Sequence, residues 1–495
     1  MRGDSRYGIL LSGCSREMHS VTRHGEGWVV GVGVRNGTGD SRALEERLQR
    51  ALGADAVLTG EACAPYAIQR CVPAVVARPL DADGVSAALA VAAEVGATVV
   101  PWGGGSRAAL GYPPRRCDLV LSMERLTGVL SYDPEDLTIS VRTGMSHTRL
   151  AAVLADAHQM LPLDVPLVSR ATLGGTLATA TLGLRRAFYG GPRDLTLGLR
   201  VADARGTLLK TGGKVVKNVT GYDMTKLFLG SLGTLGVIVE ANLKLVPVPD
   251  AEVTLLGIFS RAAPAFESAD LLDALAVRPS AAAAVQVRAI PDLAALAPGH
   301  VESVLLAARF PGSTGAVKRA ASEGEAALRQ AGARNVLVLD HETQPAFWAE
   351  LHDFAQTAAR GPREALLRVA ALPMECPAVT ETAQAMASEH DMALAWLADT
   401  LTGTVWLRLR GQESPDATSR ESVEASGAFG AALRAVQDAL VHRWRSSVVL
   451  DCSPALKPHL PVWGADPSAL DLMREVKRSF DPDYRLNPGR FIAEA

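Results

Sequence analysis

Pro101-Trp102-Gly103-Gly104-Gly105-Ser106, Ala171-Thr172-Leu173-Gly174-Gly175-Thr176 and Gly230-Ser231-Leu232-Gly233-Thr234-Leu235-Gly236-Val237-Ile238 are three glycine-dense segments in an otherwise apolar, strand-like region. A glycine inside regular structure costs roughly 0.5–1 kcal/mol against alanine, so the run at 103–105 costs roughly 2–3 kcal/mol that the folded state must offset. Backbone N–H groups donating to a charged oxygen, worth about 1.5–3 kcal/mol each, are able to offset it. Consecutive N–H groups also form a concave nest for anions. The three segments therefore read as parts of one large anionic-cofactor site.

Exclusion narrows the cofactor. A Walker loop ends in Lys-Ser or Lys-Thr, and no such pair follows Ser106. Pro113 and Pro114 come too soon for a long helix to cradle a pyrophosphate in the Rossmann manner. Gly31-Val32-Gly33 imitates a nucleotide loop but has no helix behind it.

The segment at 101–106 resembles the pyrophosphate loop of the vanillyl-alcohol-oxidase, or PCMH-type, FAD-binding family. Further motifs follow in that family's order: Leu161-Pro162-Leu163-Asp164-Val165-Pro166, Ala171-Thr172-Leu173-Gly174-Gly175, Lys217-Asn218-Val219-Thr220-Gly221-Tyr222-Asp223, and Gly233-Thr234-Leu235-Gly236-Val237-Ile238. Within the family the chain resembles the E-subunit group of bacterial glycolate oxidases. That likeness rests on Gln159-Met160-Leu161-Pro162, Gly190-Gly191-Pro192-Arg193-Asp194, Gly212-Gly213-Lys214-Val215-Val216-Lys217, and Leu486-Asn487-Pro488-Gly489-Arg490-Phe491. The resemblance implies an α+β fold: a two-subdomain PCMH-type FAD-binding unit with an α+β second, or cap, domain.

At 495 residues the chain exceeds one ordinary domain. We expect a poorly ordered tail at 1–42, the FAD-binding domain at 43–249, the cap domain at 250–445, and a C-terminal segment at 446–495 returning to the FAD domain. Prolines 247 and 249 mark the first domain boundary. With 48% hydrophobic and 21% charged residues the chain is globular. A net charge of -3 gives no basic field for nucleic acid. No apolar run approaches the roughly 20 residues of a transmembrane helix, and Ile9-Leu10-Leu11 is too short for a secretion signal. The expectation is cytoplasmic residence, with any membrane association arising through partner subunits. Cysteines 14, 63, 71, 117, 376 and 452 form no Cys-x-x-Cys pair, which argues against an iron–sulfur cluster or structural zinc. No metal is expected, and electrons must leave by way of another molecule.

The resemblance implies a set of cofactor contacts. Trp102, Gly103, Gly104, Gly105 and Ser106 would face the FAD pyrophosphate. Families that tether FAD through this loop carry a histidine where Ser106 stands, so noncovalent FAD is expected. Gly174, Gly175 and Thr176 open a helix whose N–H groups suit a phosphate or the flavin carbonyls; close packing of small residues is the alternative. Thr172, Gly233, Thr234, Gly236, Ile238, Pro166 and Asn487 complete the contacts, with Asn218, Gly221, Tyr222 and Asp223 on a connection that ends at a helix. Asp223 also fits a helix cap.

Oxidising a 2-hydroxy acid requires a cation for the carboxylate, a base for the hydroxyl proton and a hydride acceptor. Arg193 is a candidate clamp, because guanidinium binds carboxylate bidentately; an internal pair with Asp194 is the alternative. Tyr222 and Lys214 are further catalytic candidates, and Lys214 and Lys217 would otherwise be solvated surface lysines. Related D-lactate and D-glycolate dehydrogenases carry a His-x-His-type motif, whereas His341, His352, His390, His442 and His459 stand isolated here. The resulting expectation is an FAD-dependent oxidoreductase subunit for glycolate or D-lactate, working with a paralogous flavin subunit and an iron–sulfur subunit and slow without them. A stand-alone FAD dehydrogenase for an alcohol or hydroxy acid, and a non-catalytic FAD-binding structural subunit, are the alternatives.

Overall fold

The computed structural model describes residues 20–24, 27–31, 41–213, 222–290, 303–339, 342–354, 361–412, 419–444 and 446–491. The chain divides into two units, 1–36 and 37–495. In the first, Ser20–His24 pairs antiparallel with Gly27–Gly31 in a hairpin. Ser41 and Arg42, counted with the expected tail, already belong to the first helix, and the rest of that tail lies outside the described residues.

The second unit opens with the helix Ser41–Leu52, which buries Leu44 and Leu48. Four strands follow in the spatial order Val57–Thr59, Val75–Ala77, Leu119–Ser122 and Val99–Trp102. The central strands, Val75–Ala77 and Leu119–Ser122, are buried throughout, as parallel strands covered on both faces require. The helix Ala82–Glu94 connects Val75–Ala77 to Val99–Trp102, and Leu119–Ser122 inserts between those two strands. Asp81 caps this helix, its carboxylate accepting from the Gly84 N–H at 2.8 Å.

A five-stranded antiparallel sheet comes next, ordered Leu208–Gly212, Thr196–Ala202, Val237–Lys244, Thr138–Arg142 and Val129–Asp133. The C-terminal segment returns to the four-stranded sheet. The Val99 N–H donates to the Arg485 carbonyl at 2.8 Å, and the Asn487 N–H donates to the Val99 carbonyl at 2.8 Å. The helix Leu470–Phe480 anchors the return through buried Lys477, whose Nζ lies 2.6 Å from Asp481 and donates to the carbonyls of Thr234 (2.8 Å) and Leu486 (3.1 Å). Arg485 and Leu486 N–H groups donate to the same Asp481 carboxylate, so its charge is satisfied on every side.

From Ala251 onward eight antiparallel strands form one sheet, ordered Asn335–Leu339, Ala251–Phe259, Val304–Gly312, Ala281–Gln286, Met392–Asp399, Thr404–Gly411, Glu364–Ala370 and Ser447–Cys452. Helices Ala262–Asp273, Thr314–Gln330 and Cys376–Glu389 pack on one face through Leu272, Leu328 and Val379. Helix Gln344–Phe354 packs on the other through Phe347, Trp348 and Leu351. Among the described residues no helix is long and apolar enough to cross a membrane.

Candidate functional site

The glycine run leaves the C-terminal end of strand Val99–Trp102 and turns against the segment 170–172, whose close approach accounts for Gly103 and Gly104. A Cβ on Gly103 would stand 2.2 Å from Thr172 Oγ1, and one on Gly104 would stand 1.6 Å from the Arg170 carbonyl oxygen. Gly105 alone of the three has positive φ, +69°, and its Cβ would meet the Trp102 ring at 2.4 Å.

The second segment is built around Thr172. Its hydroxyl caps the helix Leu173–Thr179 by accepting from the Gly175 N–H at 3.2 Å. The Gly174 N–H donates to the Thr143 carbonyl at 2.8 Å. Both N–H groups are thus engaged within the protein, and these glycines offer close approach in place of anion donation. Thr176 turns away: its hydroxyl lies 2.8 Å from Nε2 of buried His147 and bonds the Thr172 carbonyl at 3.1 Å.

In the third segment Gly233 has φ +69° and lies against Pro101, while a Cβ on Gly236 would fall 2.6 Å from Val201. The three segments converge on one cleft, of about 110 Å³. Trp102, Gly103, Gly104, Gly105, Ser106, Thr172, Gly174, Gly175, Gly233, Gly236, Ile238 and Asn487 all line it. So do Arg107, Leu110, Met123, Thr143, Thr179, Leu232 and Arg490, which the sequence reading missed. Asn487, at φ +51°, donates from Nδ2 to the Leu232 carbonyl at 2.5 Å, and its buried Oδ1 has no partner among the described residues.

Other expected site residues fall elsewhere. Pro166 and Thr234 are buried away from the cleft lining. Tyr222 is 96% exposed and Asp223 is exposed beside it. The short helix Thr225–Phe228 starts at Met224 with no side-chain cap, so Asp223 is not its cap either. Arg193 is exposed, and its guanidinium donates to the Lys226 carbonyl at 3.1 Å, while Asp194 accepts from the Gly191 N–H at 2.8 Å. The side chains of Arg193 and Asp194 are thus spent on local backbone, which replaces both the clamp and the internal ion pair. Lys214, Lys217, Asn218, Gly221 and His341 lie outside the described residues.

A second chamber, of about 290 Å³, shares Arg107, Leu110, Thr179 and Leu232 with the cleft. Its remaining wall comes from residues 180–182 and Gly230, from the eight-stranded sheet, with Arg368, Trp406, Val448 and Leu450, and from Trp463. Burial pulls the Arg107 guanidinium down to about 9, and Arg368 beside it adds to the effect. Arg368 is lowered to about 10 by burial and then by Arg186. The loop that carries Arg107 is held from behind. Lys457 Nζ donates to the carbonyls of Ala109 and Gly111, Arg490 to those of Ala108 (2.7 Å) and Leu110 (2.6 Å), and Gln69 to Gly111 at 3.1 Å. Among the described residues no His, Asp or Glu lines either cavity, and no cluster of three or more His, Cys, Asp or Glu is placed to hold a metal.

Residues 73–212 match the family described as "FAD binding domain", and residues 463–491 match "FAD linked oxidases, C-terminal domain". The chain is an FAD-linked oxidoreductase. It is 28% identical to "Glycolate oxidase subunit GlcD" of Bacillus subtilis, with 86% of this chain aligned to 90% of that protein. It is 40% identical to "Glycolate oxidase subunit GlcE" of Escherichia coli over 154 residues, 31% of this chain and 43% of that one. A "D-2-hydroxyglutarate dehydrogenase" of Xanthomonas citri is 28% identical, with 85% of this chain aligned to 89% of that protein. Among solved structures, p-cresol methylhydroxylase superposes with a TM-score of 0.73, covering 92% of this chain and 97% of that one at 16% identity. The oxidoreductase therefore has the α+β, PCMH-type FAD-binding fold, and its cofactor is FAD.

Proposed function

We propose that this FAD-linked oxidoreductase oxidises a 2-hydroxy acid where the glycine-lined cleft meets the arginine-bearing chamber, and that it works as a glycolate-oxidase-like subunit passing electrons to partner proteins. The observation that carries the reading is the cationic chamber opening directly off the cleft, since an acid substrate needs such a group beside the cofactor. The names of relatives support the substrate class, and the 40% identical stretch supports the E-subunit likeness.

The residues present suit FAD. Gly103, Gly104 and Gly105 let the 101–106 backbone close on segment 170–172 and the Trp102 ring while it lines the cleft, and Asn487 Oδ1 offers an unpaired acceptor among the described residues. We assign the pyrophosphate to the 103–106 backbone and the flavin end to the region around Thr179, Leu232 and Asn487, next to the chamber. When bound, FAD supplies a hydride acceptor. The chain itself orients the acid's carboxylate through arginine and keeps water out with Trp406 and Trp463. With no carboxylate or imidazole lining the chamber among the described residues, the hydroxyl proton lacks a protein base.

General acid–base help is worth about 10²–10⁴-fold, so the isolated chain is expected to be reduced slowly. Anaerobic titration with glycolate and D-lactate, watching the flavin bleach, tests this. Slow bleaching that accelerates with co-expressed partners is the expected result. Complete reduction of the isolated chain within milliseconds would sink the subunit role and favour the stand-alone dehydrogenase that the near-full-length alignments also allow.

The flavin is expected to leave with the supernatant after acid or heat denaturation. Ser106 offers no nitrogen for attachment, and among the described residues no His, Cys or Tyr lines the cleft. Yellow colour retained on the washed precipitate would contradict noncovalent binding.

A further inference from the structure

We propose that the chamber beside the cleft selects a substrate with two anionic groups, a short dicarboxylic 2-hydroxy acid, held between Arg107 at one pole and Arg368 at the other. The inference rests on the reading of the chain as a 2-hydroxy-acid oxidoreductase and names the substrate class of that same site.

Arg107 comes from the loop after the glycine run, and Arg368 from strand Glu364–Ala370 of the eight-stranded sheet. Both line one chamber. Among the described residues neither guanidinium has a hydrogen-bond or ion-pair partner. This contrasts with Arg185, Arg309 and Arg408, which each hold a carboxylate at 2.9 Å or less. The charged neighbours that bear on the pair are themselves arginines: Arg368 on Arg107, and Arg186 on Arg368. Arg186 is already engaged, donating to Thr404 Oγ1 at 3.1 Å. Two half-buried guanidiniums lining one chamber without a protein partner favour anions between them. A single carboxylate compensates one.

Apart from the two arginines, Thr179 and Thr181, the chamber is lined by apolar residues, among them Leu110, Trp406, Leu450 and Trp463. A cation, an apolar span and a second cation complement a short chain with an acid at each end. Arg107 also borders the cleft, which puts the acid group it holds on the cofactor side. An Arg107 devoted to the reduced flavin is the rival explanation, and it makes a different prediction.

The test is calorimetric binding of unreactive acids of matched length to the FAD-loaded protein: succinate against butyrate, and glutarate against valerate. The diacid of each pair is expected to bind about tenfold tighter or more, the gain of one additional charge-assisted pair. Arg107→Met and Arg368→Met should each collapse that ratio toward unity. Equal affinity within both pairs for the wild type would overturn the proposal, and this comparison stands even if a variant loses its flavin. An Arg107→Met protein that keeps the diacid preference but shows a lowered flavin midpoint potential would also overturn it, assigning Arg107 to the cofactor. The underlying reading fails differently: neither mono- nor dicarboxylic 2-hydroxy acids would reduce the flavin, whatever the binding ratio.

Discussion

Gly104→Val is expected to purify almost colourless, with flavin occupancy below about a tenth of wild type. The cause is steric. The new Cβ would stand 1.6 Å from the Arg170 carbonyl oxygen and 2.6 Å from its carbon, and backbone atoms have no rotamer to yield. Gly104 does not have positive φ, so the constraint comes from its neighbour, not from its own conformation. The 101–106 loop must therefore part from the 170–172 segment, and the N–H groups assigned to the pyrophosphate lose their alignment. Losing two such contacts costs about 3–6 kcal/mol, a factor of at least about 10² in Kd. The eight-stranded sheet packs around its own apolar clusters, so far-ultraviolet circular dichroism should stay near wild type. Absorbance of the flavin relative to protein is the measurement, and wild-type occupancy would remove the loop from the site. Ser106→Ala is the matched control, expected to remain yellow because only the backbone of Ser106 is invoked.

The cofactor side of this molecule was legible because close backbone approach leaves glycines in the sequence. The individual reasons were less legible. Gly174 and Gly175 looked like anion donors, yet their N–H groups bond Thr143 and Thr172. Which carbonyl lies above a helix start is a tertiary fact that local sequence does not carry. Arg193 and Tyr222 were chosen for chemistry alone, and both stand exposed. The better arginines left fainter signals. Arg107 follows the glycine run directly, and Arg368 is the one charge inside the apolar strand stretch Ala365-Leu366-Leu367-Arg368-Val369-Ala370.

Secondary structure shows the same division. Ser146 and Ser313 cap helices with bonds to the third N–H beyond them, a pattern set by local chemistry. Ala281-Ala282-Ala283-Ala284 has the composition of a helix but forms a strand buried between Val304–Gly312 and Met392–Asp399, so packing overrides propensity. The edge strand Val129–Asp133 carries no clean apolar alternation, since Val129 and Leu130 are both exposed while Tyr132 packs on the core.

Asp164→Ala is expected to destabilise the protein by about 3–5 kcal/mol, the cost of breaking a buried ion pair and leaving its partner charged. Asp164 is 7% exposed, and its carboxylate receives Arg185 Nε and Nη2 at 2.7 Å and the Arg185 N–H at 2.9 Å. His352 Nε2, from the helix that packs on the eight-stranded sheet, stands 3.6 Å away, so the cluster joins the two halves of the molecule. Burial pushes the Asp164 carboxyl up, but Arg185 and His352 outweigh it and hold it at about 2, below its ordinary 3.8. A depressed carboxyl contributes stability that is complete above the unfolded value of 3.8 and is lost as pH falls through about 2. Buried His147, lowered by burial from 6.5 to about 4, acts earlier: its contribution is complete above 6.5 and is lost as pH falls through about 4. Urea denaturation across pH should therefore give wild-type and Asp164→Ala curves that run parallel above about pH 6.5; below it both bend as the unfolded chain's His147 takes up a proton, and the variant bends more steeply because burial lowers His352 and Asp164 no longer raises it. The curves should converge only under more acid conditions, where the wild type loses what Asp164 contributes. An offset under about 1 kcal/mol at neutral pH would mean that Arg185 finds water when its partner is gone, and the bridge would then be no more than a surface pair.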